Sequence, residues 1–298
     1  MVWVPVLYLV VWIQCLVLLR YLFRITGNQT VELVKVENGV ETVLKSGLLS
    51  LGHIYGNDTR LELVMNGNTV YCYFYNRFDK INCYAVTEVE LFGDRIGLWA
   101  STTGATFRDV TITNQKEKRT AETLIFGHSY TEMWWDFETY FPEYTDIDDI
   151  GIGGSVASHW EAMTDEVISY EPSLGIYNIG INDLTVGSTP DAVVESMEKT
   201  LLEIKAALPE FEVVLVSISH CPARSTITAT ISQTNALMRN LAASYDWMYY
   251  AEVEYLFCTD SSDPLSTDAS LFIDGLHPSA EGYQMMAEVI RNAIKGEN

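Results

Sequence analysis

The chain has 298 residues, room for two domains of ordinary size, and carries 18 Lys+Arg against 40 Asp+Glu for a formal net charge of −22 at pH 7. The excess is confined to one part: residues 1–120 hold 12 basic and 11 acidic side chains, whereas residues 121–298 hold 6 and 29. A surface this acidic repels nucleic acid, anionic membranes and polyanionic substrates, which leaves neutral ligands as the better match.

Val2 to Leu19 contains no charged residue, and a run of about 18 apolar residues is the shortest that suggests a membrane span. No Lys or Arg precedes Arg20, as a signal peptide requires, and Pro5 and Gln14 weaken a lipid-spanning helix. Residues 1–20 therefore form an apolar leader with three readings: membrane anchor or uncleaved signal, core strands, or an anomalous start of the reading frame. The first places the chain in or outside a membrane, with contact through this run alone. The others leave a cytoplasmic protein open.

From Tyr21 to Asn114 short alternating runs are separated by turn residues: Thr30 to Val36, Thr42 to Leu44, Arg60 to Met65, Thr69 to Tyr75, Lys80 to Val86, Arg95 to Ala100 and Phe107 to Thr113. Asn38-Gly39 and Asn66-Gly67 are hairpin signals. This grammar predicts an antiparallel β-sandwich over 21–114, with too few strands for a complete one. Residues 115–121, with Lys116, Lys118 and Arg119, read as a polar linker before a second domain over 122–298.

The second domain alternates strands and helices. Strands are expected at Thr123 to Phe126, Ile147 to Ile152, Leu174 to Ile179, Phe211 to Ser219 and Met248 to Val253. The fourth is almost continuously apolar, as a strand covered on both faces is. Asp191 to Leu208 spaces Val193, Met197, Leu201, Ile204 and Leu208 along one helical face, between Pro190 and Pro209. Ser279 is a plausible N-cap for a last helix to about Ile294. Such alternation implies an α/β fold with a five-stranded parallel sheet, whose ligands sit at the carboxyl ends of the strands.

Four short segments fall at that edge: Gly127-His128-Ser129, Gly153-Gly154, Gly180-Ile181-Asn182-Asp183, and Asp274-Gly275-Leu276-His277. Each has a structural reading by itself: a Gly-X-Ser turn, a tight strand exit, a turn with a helix cap, a capping histidine. Together they supply a nucleophile, oxyanion donors, a base and an orienting carboxylate. His220, at the end of the fourth strand, reads as a structural histidine; His53 and His159 show no partner.

Phe126 to Glu132, Asp149 to Ser155, Asn178 to Leu184 and Asp274 to Tyr283 resemble the four blocks of the SGNH hydrolases, or GDSL-like esterases, over about residues 121–298. The resemblance implies a flavodoxin-like sheet and a serine esterase. Ser129 would be the nucleophile, His277 its base and Asp274 the group that fixes the tautomer. Ser129 N–H, Gly154 N–H and the Asn182 amide would form the oxyanion hole. His128 stands where the family's first block usually has Asp. Asp94 to Ala100 with Ala105 to Ile112 resembles the closing strands of concanavalin-like (LamG or glycoside-hydrolase-16-like) sandwiches.

A small-molecule or glycan ester, above all an acetyl ester on carbohydrate, is the expected substrate. The alternatives are a lipid or short-chain acyl esterase or thioesterase, and a catalytically silent glycan-binding protein. No nucleotide loop, metal motif or internal repeat is visible, so no cofactor is implied. Asp146, Asp148 and Asp149, or Asp260, Asp263 and Asp268, read as solvated surface ahead of a calcium site. The five cysteines fit no zinc spacing, and Cys72 and Cys83 lie on neighbouring candidate strands where a bridge could form.

Overall fold

Runs of β-branched and aromatic residues between turns form the first unit as strands. The computed structural model describes residues 7–12, 19–26, 30–48, 60–66, 68–75, 81–88, 95–100 and 119–296. The chain divides into two units, Met1–Glu117 and Lys118–Asn298. In the first, β1 (Leu7–Trp12), β2 (Leu19–Thr26), β3 (Thr30–Glu37), β4 (Val40–Leu48) and β8 (Arg95–Ala100) form a five-stranded sheet in the order β4-β3-β2-β1-β8. β5 (Arg60–Asn66), β6 (Thr69–Tyr75) and β7 (Ile81–Glu88) form a three-stranded one. All pairings are antiparallel, and β7 lies against β3 and β4. Asn38 and Gly39, with φ of 52° and 82°, make the two-residue hairpin turn between Glu37 and Val40.

Where the apolar opening is described, it follows the core-strand reading. Leu7–Trp12 is a strand paired on both sides, with Val10 opposite Leu22 and Gly97. A strand covered on both faces reads as an unbroken apolar run, a pattern that it shares with a membrane helix. Among the described residues no helix is long and apolar enough to cross a membrane. The regular strands also begin earlier than Tyr21, with β1 at Leu7 and β2 at Leu19. The expected strand at 107–113 and most of the expected linker lie outside the described residues. Ala121, at the linker's end, is buried and donates its N–H to Tyr170 O at 3.0 Å, so it already belongs to the second unit. Across β6 and β7, Cys72 is the register partner of Ala85 and Cys83 of Phe74, two residues out of step for direct cross-strand pairing.

The second unit runs β9 (Thr123–Gly127), α1 (Ser129–Glu132), α2 (Phe137–Tyr140), β10 (Ile147–Gly151), α3 (Ala157–Glu161), α4 (Thr164–Ser169), β11 (Leu174–Asn178), α5 (Ile181–Thr185), α6 (Pro190–Ala207), β12 (Glu212–Val216), α7 (Thr228–Ala243), β13 (Met248–Ala251) and α8 (Ala280–Lys295). The five strands are parallel in the order β10-β9-β11-β12-β13, the flavodoxin-like arrangement. The chain reverses direction across the sheet at β9, so the crevice opens at the end of the strand that carries Ser129.

Burial explains the strand sequences. Val213, Val214, Leu215 and Val216 are wholly inaccessible. α8 covers one face with Met286, Ala287, Ile290 and Ala293, packed on Ile125, Ile176, Val214 and Ala251. On α6, the predicted residues Val193, Met197, Leu201 and Ile204 are buried. That helix starts a residue before the expected Asp191. Thr189 caps it by accepting the Ala192 N–H, and Pro190 takes the first helical position, where no N–H is needed. Ser279 caps α8 by accepting the Gly282 N–H at 3.3 Å.

Candidate active site

β9 delivers the serine through a turn that tolerates only glycine. Gly127 has φ +149°, and a Cβ there would come within 1.9 Å of Asn178 O. The next N–H, from His128, donates to that same carbonyl at 3.1 Å. His128 then caps α1: its ring Nδ1 accepts the Tyr130 N–H at 3.1 Å. Burial, with the nearby His277, pushes the His128 pKa down to about 3, so the ring stays neutral and Nδ1 keeps its lone pair. The substituted residue thus caps as an aspartate would, without its charge. Ser129 is the first residue of the turn that follows.

Asp274, Leu276 and His277 form a tight loop after β13. Asp274 Oδ1 accepts the N–H groups of Leu276 at 2.9 Å and His277 at 2.8 Å, while Oδ2 lies 2.7 Å from His277 Nδ1. His277 Nε2 lies 2.9 Å from Ser129 Oγ. Burial pushes the Asp274 carboxyl upward, but the bonds from His277 and Leu276 outweigh it and hold the group below the ordinary carboxylate value. An ionised Asp274 can only accept a hydrogen bond, so Nδ1 carries the proton and donates it there, which leaves the Nε2 lone pair facing Ser129 Oγ.

The other two segments meet on their own. Asn182, on α5, donates from Nδ2 to Ser155 O at 3.0 Å. Gly154, one residue earlier, is exposed with φ +76°, and a Cβ there would meet nothing within 4 Å. Glycine is needed there for its backbone conformation, not for space. The N–H groups of Ser129 and Gly154 donate to no acceptor among the described residues. Gly151 and Asn178 flank Gly127 in the sheet register, so the exits of β10, β9 and β11 lie side by side.

Two tyrosines that sequence reasoning passed over tie these parts together. Tyr130 Oη donates to Leu276 O at 2.7 Å, next to His277, and the Tyr130 carbonyl accepts from Tyr283 Oη of α8 at 2.9 Å. Both tyrosines stood inside the quoted blocks, but their acceptors are main-chain carbonyls, which leave no mark in a sequence. Asp183, read as a helix cap, accepts the Ala157 N–H at 2.9 Å. His220 is fully buried, its Nε2 3.3 Å from Glu254 Oε1 in an alignment short of a hydrogen bond, and it packs edge-on to Tyr255. His159 Nδ1 accepts the Val156 N–H at 3.3 Å, and His53 lies outside the described residues. Asp260, Asp263 and Asp268 each accept bonds within their own turns.

Residues 125–285 match the GDSL-like Lipase/Acylhydrolase family. The chain belongs to that family. As a GDSL-like acylhydrolase it is a carboxylic ester hydrolase. Among solved structures it resembles an acylhydrolase from Bacteroides fragilis NCTC 9343, at 21% identity and TM-score 0.51 over 63% of this chain and 91% of that one. It also resembles a Streptococcus pneumonia protein described as a platelet activating factor, at 19% identity and TM-score 0.50 over 58% and 83%. At such identities the likeness is one of fold. None of the curated proteins matches the chain.

Proposed function

We propose that this GDSL-like acylhydrolase is a serine esterase in which Ser129, His277 and Asp274 act as the triad. The observation that carries the reading is the continuous line Asp274–His277–Ser129, with contacts of 2.7 and 2.9 Å. His277 takes the Ser129 proton as Oγ attacks the ester carbonyl, and Asp274 stabilises the imidazolium. The N–H groups of Ser129 and Gly154 and the Asn182 amide bind the oxyanion. His277 then protonates the leaving alcohol, and water attacks the acyl-serine by the same route in reverse.

An acetyl ester on a carbohydrate is the substrate we favour. Asp274 has half of its side chain exposed and Gly154 is exposed, so the site is open to a bulky, water-soluble carrier. The acidic second unit favours a neutral one. In this reading the antiparallel unit binds the glycan. A second reading, an ester with a short acyl chain, is favoured by Val186 and Ile273, two exposed apolar residues that follow Asn182 and precede Asp274 in sequence. Turnover of p-nitrophenyl acetate by the wild type and by Ser129→Ala tests the mechanism: Ser129→Ala should stay folded and lose nearly all activity. Acetate release from a panel of acetylated glycans, set against butyrate and octanoate esters, decides the substrate.

A further inference from the structure

Two consecutive side chains of α5 grip the same stretch of backbone. Asn182 Nδ2 donates to Ser155 O at 3.0 Å, and Asp183 Oδ1 accepts the Ala157 N–H at 2.9 Å. One prong is a donor and the other an acceptor, so the segment cannot slip by a residue without losing both bonds. The gripped stretch begins immediately after Gly154. It is fastened from behind as well: Ser155 N–H donates to Ile152 O at 3.1 Å, and Trp160 Nε1 donates to Ser155 Oγ at 3.2 Å.

We propose that Asp183 is a positioning residue for the oxyanion hole, acting with Asn182 as a two-pronged clamp that aims the Gly154 N–H. The inference rests on the serine-esterase reading, in which that N–H is a donor. Capping α3 is only part of what the residue does. The N-cap position of that helix is Val156, whose side chain offers no acceptor, and Asp183 reaches the Ala157 N–H from a different element, which ties α5 to the chain just after Gly154. Asp183 buries a carboxyl at 4% exposure, with Oδ2 lacking a hydrogen-bond partner among the described residues. Such burial costs stability. It also pushes the Asp183 pKa up to about 6, partly offset by the Ala157 N–H. The group is therefore ionised where a neutral imidazole can work, and a charge-assisted bond to the Ala157 N–H is stronger than a neutral one. Placing a donor within a fraction of an ångström matters because oxyanion stabilisation depends on preorganised geometry.

The test uses Asp183→Ala and Asp183→Asn in the full chain, read by amide hydrogen exchange over residues 153–157 and by steady-state hydrolysis of p-nitrophenyl acetate. The expected result for Asp183→Ala is faster exchange confined to that segment, with kcat lower by about 10–100-fold and KM within about twofold. Asp183→Asn, whose amide oxygen still accepts from Ala157, should recover most of both losses. Unchanged exchange in Asp183→Ala, or a loss expressed in KM alone, overturns the proposal. So does an Asp183→Asn variant as impaired as Asp183→Ala in both readouts. Faster exchange in a protein whose wild type hydrolyses no ester would leave the clamp standing and sink the esterase reading instead.

Discussion

The ring of His128 holds the second N–H of the nucleophile turn, Nδ1 to Tyr130 N at 3.1 Å. A capping imidazole must stay neutral, and burial keeps it so, lowering its pKa from 6.5 to about 3. Below pH 6.5 the unfolded chain therefore binds a proton here that the folded chain refuses, and stability falls as pH drops from 6.5 towards about 3. The full loss is on the order of 5 kcal/mol. His128→Asn, which can cap without titrating, should flatten this part of the pH dependence. Urea midpoints at pH 7 and pH 4 for both proteins measure it; an equal drop in both would assign acid sensitivity to other groups.

Asn182→Ala should lower kcat by about 10²–10³ with little change in KM, because its amide is proposed to meet charge that develops only in the transition state. The side chain also holds Ser155 O, so the loss belongs at the upper end of that range. A change mainly in KM would make Asn182 a ground-state binding residue.

Asp274→Asn removes the charge beside His277 Nδ1 and offers an amide that can accept or donate there. The rate should fall by about 10⁴-fold, because the amide no longer fixes the tautomer that leaves Nε2 free to accept. A rate close to that of the wild type would mean that another carboxylate orients the ring.

Tyr130→Phe deletes the bond to Leu276 O and leaves that carbonyl without its donor. We expect a stability loss of about 1–2 kcal/mol and a kcat about tenfold lower at similar KM, because the histidine loop loses its tie to the nucleophile turn. Tyr283→Phe removes the neighbouring buried bond to Tyr130 O and is the control. It should cost similar stability and less activity. Equal losses in kcat would show that Tyr130 contributes packing alone.

The fragment Lys118–Asn298 should fold by itself, since its length suffices for an independent core. Its kcat/KM on p-nitrophenyl acetate should match the full chain within about twofold, and only activity on a polymeric glycan should fall. An insoluble fragment would mean that the antiparallel unit is structurally required.

The five strands were legible because parallel packing demands unbroken apolar runs such as Val213 to Val216 and helical crossovers between them. The four candidate segments were legible because acyl transfer restricts residue types at strand ends, and contacts of 2.9 and 2.7 Å join Ser129 to His277 and His277 to Asp274. What stayed hidden depends on partners that carry no side-chain identity. Tyr130 bonds the carbonyl of residue 276 and Asp183 the amide of residue 157, 146 and 26 positions away. The apolar run at Leu7–Trp12 was ambiguous because a strand flanked by β2 and β8 and a lipid-spanning helix ask for the same composition. His128 looked like a lapse from the family pattern until its lone pair was seen to do the capping.

Ser129 and His277 touch across 148 residues of chain. During synthesis the serine emerges with β9, yet its base arrives only after β13 and the loop beyond it have left the ribosome. By the proposed mechanism, a stalled or clipped chain that ends before residue 277 carries a serine without its base. In the proposed mechanism the closing of the last loop switches hydrolysis on, so a chain still being made would leave esters in its surroundings largely untouched.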